Sequence, residues 1–256
     1  MKVLELFSGT HSVKKICDKY NWNTISLDLN TYKNIEPPTH QEDILTWNYK
    51  QYDVNEFDII WASPPCVYYS ALQNTWIGRK KKRKDGSYYV YTKELHKTDM
   101  LLADEWVKKT LEIIYYFKPS YWFIENPYSS RLKKRGVMDH LNYYDVDYCK
   151  YSDWGYKKKT RIWTNKIGFI PKVCKKDCDN MINIDNSIYH QDNCGNSKIR
   201  KKIREFHKKH KKDCSKNVGG GNNRLDRYRI PPLLIEDLFK GCKEKNIKQS
   251  KLVVFE

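Results

Sequence analysis

Short apolar runs punctuate the first 165 residues of the chain and alternate with longer, partly polar stretches. Each run is rich in aliphatic or aromatic residues and stops at a turn residue or an acid, as buried strands of a parallel sheet do. This pattern predicts strands at Lys2–Phe7, Asn23–Leu29, His40–Leu45, Phe57–Ala62 and Tyr121–Ile124.

Several of the stretches between and after these runs carry apolar residues at helical spacing. They predict helices at residues 11–20, at Leu101–Phe117 and, since proline is allowed in a first turn, at Pro231–Phe239. Residues 71–97 are polar and irregular. The alternation of strands and helices predicts an α/β fold with a doubly wound sheet covered by helices on both faces.

The regular pattern is lost after about residue 165. Residues 166–218 are rich in Lys, Asn, Asp and Cys, and the triple glycine 219–221 follows them as a hinge-like segment. We therefore predict one catalytic domain formed by residues 1–165 and 219–256. Residues 166–218 would be inserted into it as a small, Cys-rich lobe.

Positive charge is concentrated in two segments of the chain, whose formal net charge is +17. Residues 79–84 are all Lys or Arg, and residues 198–216 hold ten Lys or Arg against two acids. Concentrated basic charge is typical of proteins that bind nucleic acids. The alternatives are solvated surfaces, a targeting tract, or a lysine bias inherited from an AT-rich genome.

Composition predicts a folded, soluble, intracellular protein. The apolar fraction of 39% argues against global disorder, and no apolar stretch is long enough to span a bilayer. No charged-then-apolar leader precedes the first predicted strand. In such a compartment the eight cysteines are expected to be reduced thiols, metal ligands or catalysts rather than disulfides.

Two of the predicted strands end in groups that can do chemistry. Ser63-Pro64-Pro65-Cys66 follows Phe57–Ala62, and Glu125-Asn126-Pro127 follows Tyr121–Ile124. In open α/β sheets the chemistry gathers at the carboxyl ends of the strands. A thiol and an acid at neighbouring strand ends fit covalent attack on a ring with proton transfer to that ring. The alternatives are a buried structural cysteine and an acid that caps the next turn.

Several motifs occur in the order in which the cytosine-5 DNA methyltransferases carry theirs. They are Glu5-Leu6-Phe7-Ser8-Gly9, Pro65-Cys66, Glu125-Asn126-Pro127, Lys157–Trp163 and Arg227–Pro232. The chain therefore resembles a short, divergent member of this family, of viral or phage type. The resemblance implies a Rossmann-like methyltransferase sheet, S-adenosylmethionine as cofactor, DNA as partner, and a target-recognition role for the inserted lobe. A viral member would act in the host cytoplasm or nucleus.

The resemblance also implies a role for each matching residue. The Cys66 thiolate would add to carbon 6 of a target cytosine, Glu125 would act on ring N3, and Arg161 would hold the carbonyl oxygen. Asp28 ends a predicted strand, where an acid can accept both ribose hydroxyls of an adenosine cofactor. The cofactor site as a whole would comprise Phe7, Ser8, Gly9, Thr10, Asp28, Asp43 and Pro65.

Some positions depart from the family's usual residues, namely His11, Ser12, Val67 and Lys159. These departures keep open a catalytically silent relative that only binds nucleic acid. The small lobe and the basic tracts would also suit an RNA cytosine-5 methyltransferase with the same chemistry. Retention of both Cys66 and Glu125 favours an active enzyme.

The inserted lobe contains two spaced pairs of metal-binding residues. Three residues separate Cys174 from Cys178, and three separate His190 from Cys194. Two ligand pairs joined by a short loop suit tetrahedral zinc, which would supply folding energy to a lobe too small for its own core. We therefore predict a structural zinc site at Cys174, Cys178, His190 and Cys194. The alternative is that Cys and His are merely scattered through a polar segment.

Overall fold

A six-stranded sheet lies at the centre of the computed structural model, which describes residues 1–83, 85–191, 197–210 and 228–244. Within these ranges the strands are β1 (Lys2–Leu6), β2 (Asn23–Leu27), β3 (Ile59–Ala62), β4 (Lys80–Lys82), β5 (Tyr88–Val90), β6 (Tyr121–Pro127), β7 (Tyr143–Asp147), β8 (Lys159–Thr164), β9 (Met181–Ile184) and β10 (Ser187–His190). The helices are α1 (Ser12–Lys19), α2 (Lys93–Phe117), α3 (Ser197–Lys209) and α4 (Pro232–Phe239).

The central sheet has the strand order β2-β1-β3-β6-β8-β7. Strands β1, β2, β3 and β6 pair in parallel, whereas β8 runs antiparallel to both of its neighbours. Two antiparallel hairpins, β4–β5 and β9–β10, lie outside this sheet. The first occurs between β3 and α2, and the second belongs to the predicted inserted lobe.

Each face of the sheet has its own apolar cluster, because successive side chains of a strand point to opposite faces. On one face α2 packs over Leu4, Leu6, Ile60, Ala62 and Ile124. On the other face α1 and α4 pack over Val3, Ile59, Trp61, Phe123 and Ile162. The prediction of an α/β sheet wound on both faces is confirmed, with the difference that the sheet is mixed rather than purely parallel.

The predicted strand at His40–Leu45 is wrong. In this segment only His40 reaches the sheet, through an isolated bridge to Leu27. Asp43 instead closes a turn: its carboxylate accepts a hydrogen bond from the Leu45 backbone N–H at 3.0 Å, and its carbonyl accepts one from Trp47 at 2.9 Å. An aspartate that bonds to nearby backbone groups competes with strand pairing.

The stretch 71–97, expected to be irregular, is in fact largely ordered into the β4–β5 hairpin and the start of α2. Helix α2 begins at Lys93 rather than at Leu101, because the Thr92 side chain caps it by accepting the Leu95 N–H at 3.2 Å. No helix in the described ranges is long and apolar enough to cross a membrane. The predicted hinge at residues 219–221 lies outside the described residues, so the domain boundaries stay a prediction.

A charged group on α2 fixes the turn that carries Cys66. Asp104 is buried and accepts a hydrogen bond from the Tyr69 hydroxyl at 3.0 Å, and Tyr69 ends the 3₁₀ turn that begins at Cys66. The Arg135 guanidinium binds the same carboxylate, with its Nε 3.0 Å from Oδ1. Arg135 thus neutralises a buried charge that would otherwise destabilise this junction.

Replacing Arg135 by methionine should lower the free energy of unfolding by about 2–3 kcal/mol, because Asp104 would keep a buried charge without its main partner. The measurement is urea denaturation followed by tryptophan fluorescence. Lys134→Met is the matched control, since Lys134 is exposed and surface changes usually stay within about 0.5 kcal/mol. Equal stabilities of the two variants would contradict the assignment.

Candidate active site

The Cys66 thiol lies in a turn just beyond the carboxyl end of β3. Pro65 precedes this 3₁₀ turn, which spans Cys66–Tyr69. The Asn126 side-chain amide donates a hydrogen bond to the Pro64 carbonyl at 2.8 Å, and Asn126 is fully buried. This bond joins the Cys66 loop to the end of β6. The thiol is therefore held against the neighbouring strand rather than exposed on a free loop.

Glu125 occupies the carboxyl-terminal part of β6, which pairs in parallel with β3. Its carboxylate is buried and accepts a hydrogen bond from the Tyr148 hydroxyl at 3.0 Å. The Lys158 ammonium lies 3.6 Å from the same carboxylate oxygen. The structure thus brings the two predicted catalytic groups, Cys66 and Glu125, to adjacent strand ends and adds two polar partners.

Cys66, Glu125 and Lys158 act on one another electrostatically. Burial raises the pKa of the Cys66 thiol; the nearby Lys158 ammonium lowers that pKa, and Glu125 raises it. Burial and the Glu125 carboxylate keep the pKa of Tyr148 well above its ordinary value, so its hydroxyl remains a hydrogen-bond donor. Lys158 is therefore the group in this site that favours the reactive thiolate.

The structure does not bring Arg161 to Glu125. The β6–β8 register pairs Arg161 with Asn126, so its side chain points to the face of the sheet opposite to that of Glu125. There its guanidinium binds the Asp145 carboxylate through two hydrogen bonds of 2.7 and 3.0 Å and stacks 3.5 Å from the Tyr143 ring. The Lys159 ammonium lies 3.9 Å from Asp145, on this same side.

The turn after β1 has an unusual backbone conformation. Phe7, Gly9 and His11 all have left-handed φ angles, between 51 and 57°. Asp28, which follows β2, accepts the Gly9 backbone N–H at 2.9 Å and so joins the two strand ends. In the part of the chain that the structure describes, the buried Ser8 hydroxyl has no hydrogen-bond partner. A polar ligand in this turn would satisfy it.

The remaining predicted cofactor residues lie close to this turn in sequence or at the neighbouring strand end. The Thr10 carbonyl accepts a hydrogen bond from the Lys15 ammonium at 2.8 Å, and the Thr10 hydroxyl lies 3.1 Å from that of Ser12.

Asp43 is half-buried in its own turn, beyond the bridge at His40. Pro65 adjoins Cys66. The structure thus groups Phe7 to Thr10 with Asp28, and it places Asp43 and Pro65 on adjoining loops.

The departures at His11 and Ser12 have structural explanations. Burial disfavours protonation of His11, yet the Glu5 carboxylate, 3.7 Å from Nδ1, and Glu36 together outweigh this effect and raise the His11 pKa. The other ring nitrogen lies 2.9 Å from the Glu36 carbonyl. The Ser12 hydroxyl accepts the Ile230 backbone N–H at 3.1 Å, which ties the last motif to the start of α1.

A second cluster of reactive side chains lies beneath the β9–β10 hairpin. Its ligand atoms all lie within 4.8 Å of one another and come from Cys149, Cys174, Cys178 and His190. Three of the four predicted zinc ligands are therefore together. The fourth partner in the described part of the chain is Cys149, whereas Cys194 lies outside the described residues.

Sequence reasoning missed Lys158, Tyr148 and Cys149. Lys158 stands within a run of lysines and has no distinguishing feature of its own. Tyr148 and Cys149 follow β7 and meet partners that are 23 or more residues away in the chain. No local pattern could have selected them.

A curated relative covers almost the whole sequence. The protein of Frog virus 3 (isolate Goorha), described as a probable DNA (cytosine-5)-methyltransferase, is 36% identical over 246 residues, which are 94% of this chain and 100% of the relative. The chain belongs to the DNA (cytosine-5)-methyltransferase family. Identity at this level over nearly the full length extends the motif resemblance to the regions between the motifs.

More distant similarity exists to solved structures. The S. pombe Dnmt2 methyltransferase aligns at 16% identity and a TM-score of 0.36, over 66% of this chain and 50% of that one. A prophage-encoded E. coli protein, whose structure carries the name of a DNA modification methyltransferase, aligns at 15% identity and a TM-score of 0.41. That alignment covers 67% of this chain and 51% of the other. No family model matches the sequence.

Replacing Lys158 by methionine should slow alkylation of Cys66 by iodoacetamide near neutral pH, because loss of the ammonium raises the thiol pKa and lowers the thiolate fraction. Mass spectrometry of the Cys66 peptide across a pH series gives the rate at this thiol alone. The expected result is a pH profile displaced to higher pH.

Lys159→Met is the matched control for this measurement. Lys159 adjoins Lys158, but its ammonium lies beside Asp145. Its profile should match that of the wild type. An unchanged profile in Lys158→Met, or an equal displacement in both variants, would show that Lys158 does not act on the thiol.

Proposed function

We propose that this protein transfers a methyl group from S-adenosylmethionine to carbon 5 of cytosine in DNA, through a covalent adduct with Cys66. The observation that carries the proposal is the placement of the Cys66 thiol and the Glu125 carboxylate at the ends of two paired parallel strands. Family membership, based on a relative that matches 94% of the chain, supports the same chemistry.

The first half of the reaction activates the ring. The Cys66 thiolate attacks carbon 6 of the cytosine and forms a carbon–sulfur bond, while the electrons of the C5–C6 double bond move toward carbon 5. Glu125 shares a proton with ring N3, and this proton neutralises the negative charge that the attack places on the ring. Tyr148 and Lys158 hold the Glu125 carboxylate in place.

The second half restores the aromatic ring. Carbon 5 forms a bond to the methyl carbon while the bond between that carbon and the cofactor's sulfur breaks, so that the sulfur leaves with the electron pair as a neutral thioether. The proton on carbon 5 then leaves to a base in solvent or in the site. The electrons of that C–H bond re-form the C5–C6 double bond, and the bond between carbon 6 and sulfur breaks. Cys66 returns to the thiolate, and 5-methylcytosine is released.

The turn between β1 and α1 fits the cofactor of this reaction. When bound, S-adenosylmethionine supplies a methyl carbon made electrophilic by a positively charged sulfur. The Ser8 hydroxyl, which has no partner among the described residues, and the backbone of Gly9 would face its polar groups, and Asp28 would accept ribose hydroxyls. Asp43 would lie toward the adenine. A structural metal would take no part in the methyl transfer.

A cation on the Glu125 side of the sheet is better placed than Arg161 to meet the target base. Arg161 would have to release Asp145 and leave its face of the sheet before it could contact the cytosine carbonyl oxygen. Lys158 already lies beside Glu125. We therefore assign the carbonyl contact to Lys158 and propose that Arg161 stabilises the β7–β8 edge.

The basic hairpin β4–β5 is proposed to bind the DNA backbone. Arg79, Lys80 and Lys82 are exposed on it, whereas Lys81 packs 3.7 Å from the Trp76 ring and is partly buried. Flipping a cytosine out of the duplex costs a few kcal/mol, which contacts elsewhere on the DNA must offset. Lysines of α3, within the tract 198–216, would hold the backbone as well, and the lobe 166–218 would read the target.

Two alternatives to this function use the same site. An RNA cytosine-5 methyltransferase would perform the same steps on a different polymer, and a silent relative would bind nucleic acid without them. A methyl-transfer assay with labelled S-adenosylmethionine on duplex DNA, single-stranded DNA and tRNA separates all three. Transfer to duplex DNA is the expected outcome, and transfer to tRNA alone would favour the RNA enzyme.

The covalent step predicts that DNA containing 5-fluorocytosine traps the protein in a denaturant-resistant adduct. In this analogue fluorine replaces the carbon 5 hydrogen, whose loss as a proton would release the enzyme. Cys66→Ser should abolish the adduct, as read by a band shift in denaturing gels. Cys242→Ser is the control, since Cys242 is a half-buried thiol near the end of α4. An adduct that persists in Cys66→Ser would refute the nucleophile assignment.

The proposed phosphate contacts predict a change in salt dependence. Replacing Arg79, Lys80 and Lys82 together by glutamine should weaken binding to all DNA sequences alike. The slope of log K against log salt is negative, and its magnitude should decrease by about 0.9 for each phosphate that is no longer neutralised. Lys81 stays in place because it packs on the hairpin's aromatic rings.

Fluorescence anisotropy at several salt concentrations measures this slope. Lys108→Gln on the exposed side of α2 serves as a control for the loss of one lysine charge away from the hairpin. An unchanged slope in the triple variant would mean that the hairpin is a solvated loop that does not reach the DNA.

A further inference from the structure

The cluster of Cys149, Cys174, Cys178 and His190, here called the thiol–imidazole cluster, joins two parts of the chain. Three of its members belong to the predicted lobe, whereas Cys149 follows β7 of the central sheet. The three thiols are buried, and His190 is half-buried. A set of this composition is a donor set for Zn²⁺.

The geometry of the cluster fits a tetrahedral site. Ligand atoms of a Cys₃His zinc site stand about 3.5–3.8 Å apart, as follows from bond lengths of about 2.0–2.3 Å. In the protein the Cys174 sulfur lies 3.5 Å from the Nε2 atom of His190, and the whole set lies within 4.8 Å. Small side-chain movements would therefore complete the tetrahedron.

The surroundings of Cys174 and Cys178 match those of a metal-binding turn. The Cys174 sulfur accepts hydrogen bonds from the backbone of Lys176 and Asp177. Lys176 has a left-handed φ of 66°, which folds the chain so that these N–H groups face the sulfur. Outer-shell hydrogen bonds of this kind orient metal ligands.

The buried apolar cluster beneath the hairpin is small. The apolar cluster beneath the hairpin in the described part of the chain consists of Cys149, Cys174 and Cys178, with Met181 against it. Lobes this small gain much of their folding energy from a metal or a disulfide. In a reducing compartment thiols rarely form lasting disulfides, so they can stabilise such a lobe by binding a metal.

We infer that the thiol–imidazole cluster binds one zinc ion, which fastens the lobe to the catalytic sheet. Three thiols release their protons to solvent on binding, so the affinity falls as the pH falls. The site is distinct from the predicted one, because Cys149 of the sheet replaces Cys194 of the lobe.

The zinc site would also position the active-site carboxylate. Cys149 directly follows Tyr148, whose hydroxyl binds Glu125. On the other side, the Lys157 ammonium donates to the Cys174 carbonyl at 3.1 Å, and its neighbour Lys158 reaches Glu125. Two short paths thus connect the cluster to Glu125. One runs from Cys149 to the adjacent Tyr148, and the other runs from the Cys174 carbonyl through Lys157 to Lys158. This coupling rests on the proposed function, whereas zinc binding itself does not.

Elemental analysis of the full-length protein, purified without chelator, should find about one zinc per chain. Cys149→Ala should weaken zinc binding about tenfold or more, whereas Cys194→Ala should keep full content. Cys17→Ala is the matched control, since Cys17 is a fully buried residue of α1 that packs in a different apolar cluster. The Cys17→Ala variant is expected to have a lower free energy of unfolding than the wild type but the same zinc content.

Cobalt replacement provides a readout that does not depend on folding of the variants. Wild-type protein stripped by chelator and given Co²⁺ should show the visible absorption of tetrahedral thiolate-bound cobalt. Absence of both zinc and this spectrum would overturn the inference, as would zinc lost in Cys194→Ala but kept in Cys149→Ala. A disulfide between two cluster thiols in freshly purified protein would overturn it too.

These experiments distinguish a failure of the zinc inference from a failure of the proposed function. Cys66→Ser should lose the 5-fluorocytosine adduct and keep its zinc, since Cys66 is outside the cluster. Zinc-bound wild type that forms no adduct would remove the proposed function but leave the metal site standing.

Discussion

The parallel pairing of β3 with β6 is the constraint on which the active site depends. It places Ala62 beside Ile124, so that the residues just beyond both strands meet at one edge of the sheet. The buried bond from the Asn126 amide to the Pro64 carbonyl then locks the two loops together. Because this amide is fully buried, losing its partner would cost about 1–3 kcal/mol and would free the Cys66 loop.

Burying reactive groups at this edge has an electrostatic cost that the surrounding residues offset. Glu125 is nearly inaccessible to water, and it is kept in place by the Tyr148 hydroxyl and the Lys158 ammonium. The same ammonium favours the Cys66 thiolate, whose formation burial disfavours. One cation therefore acts on both groups, whereas Arg161 lies on the other face of the sheet and binds Asp145.

Departures from the family pattern do not imply a decayed site. His11 keeps the left-handed backbone that glycine would adopt, and its ring is fixed between Glu5 and the Glu36 carbonyl. Glu5 in turn accepts the backbone N–H groups of Val13 and Lys14 at the start of α1. The turn between β1 and α1 is thus held by side-chain contacts of His11 and Glu5.

Local sequence patterns were enough to predict the strands that carry Cys66 and Glu125, the helices that cover both faces of the sheet, and the order of the family motifs. These follow from local periodicity and from turn residues, which act over a few positions. The contacts of Lys158 and Tyr148 with Glu125, the orientation of Arg161 and the meeting of Cys149 with the lobe thiols arise only in the folded chain. Such contacts depend on strand register, and a shift of one residue turns a side chain to the other face.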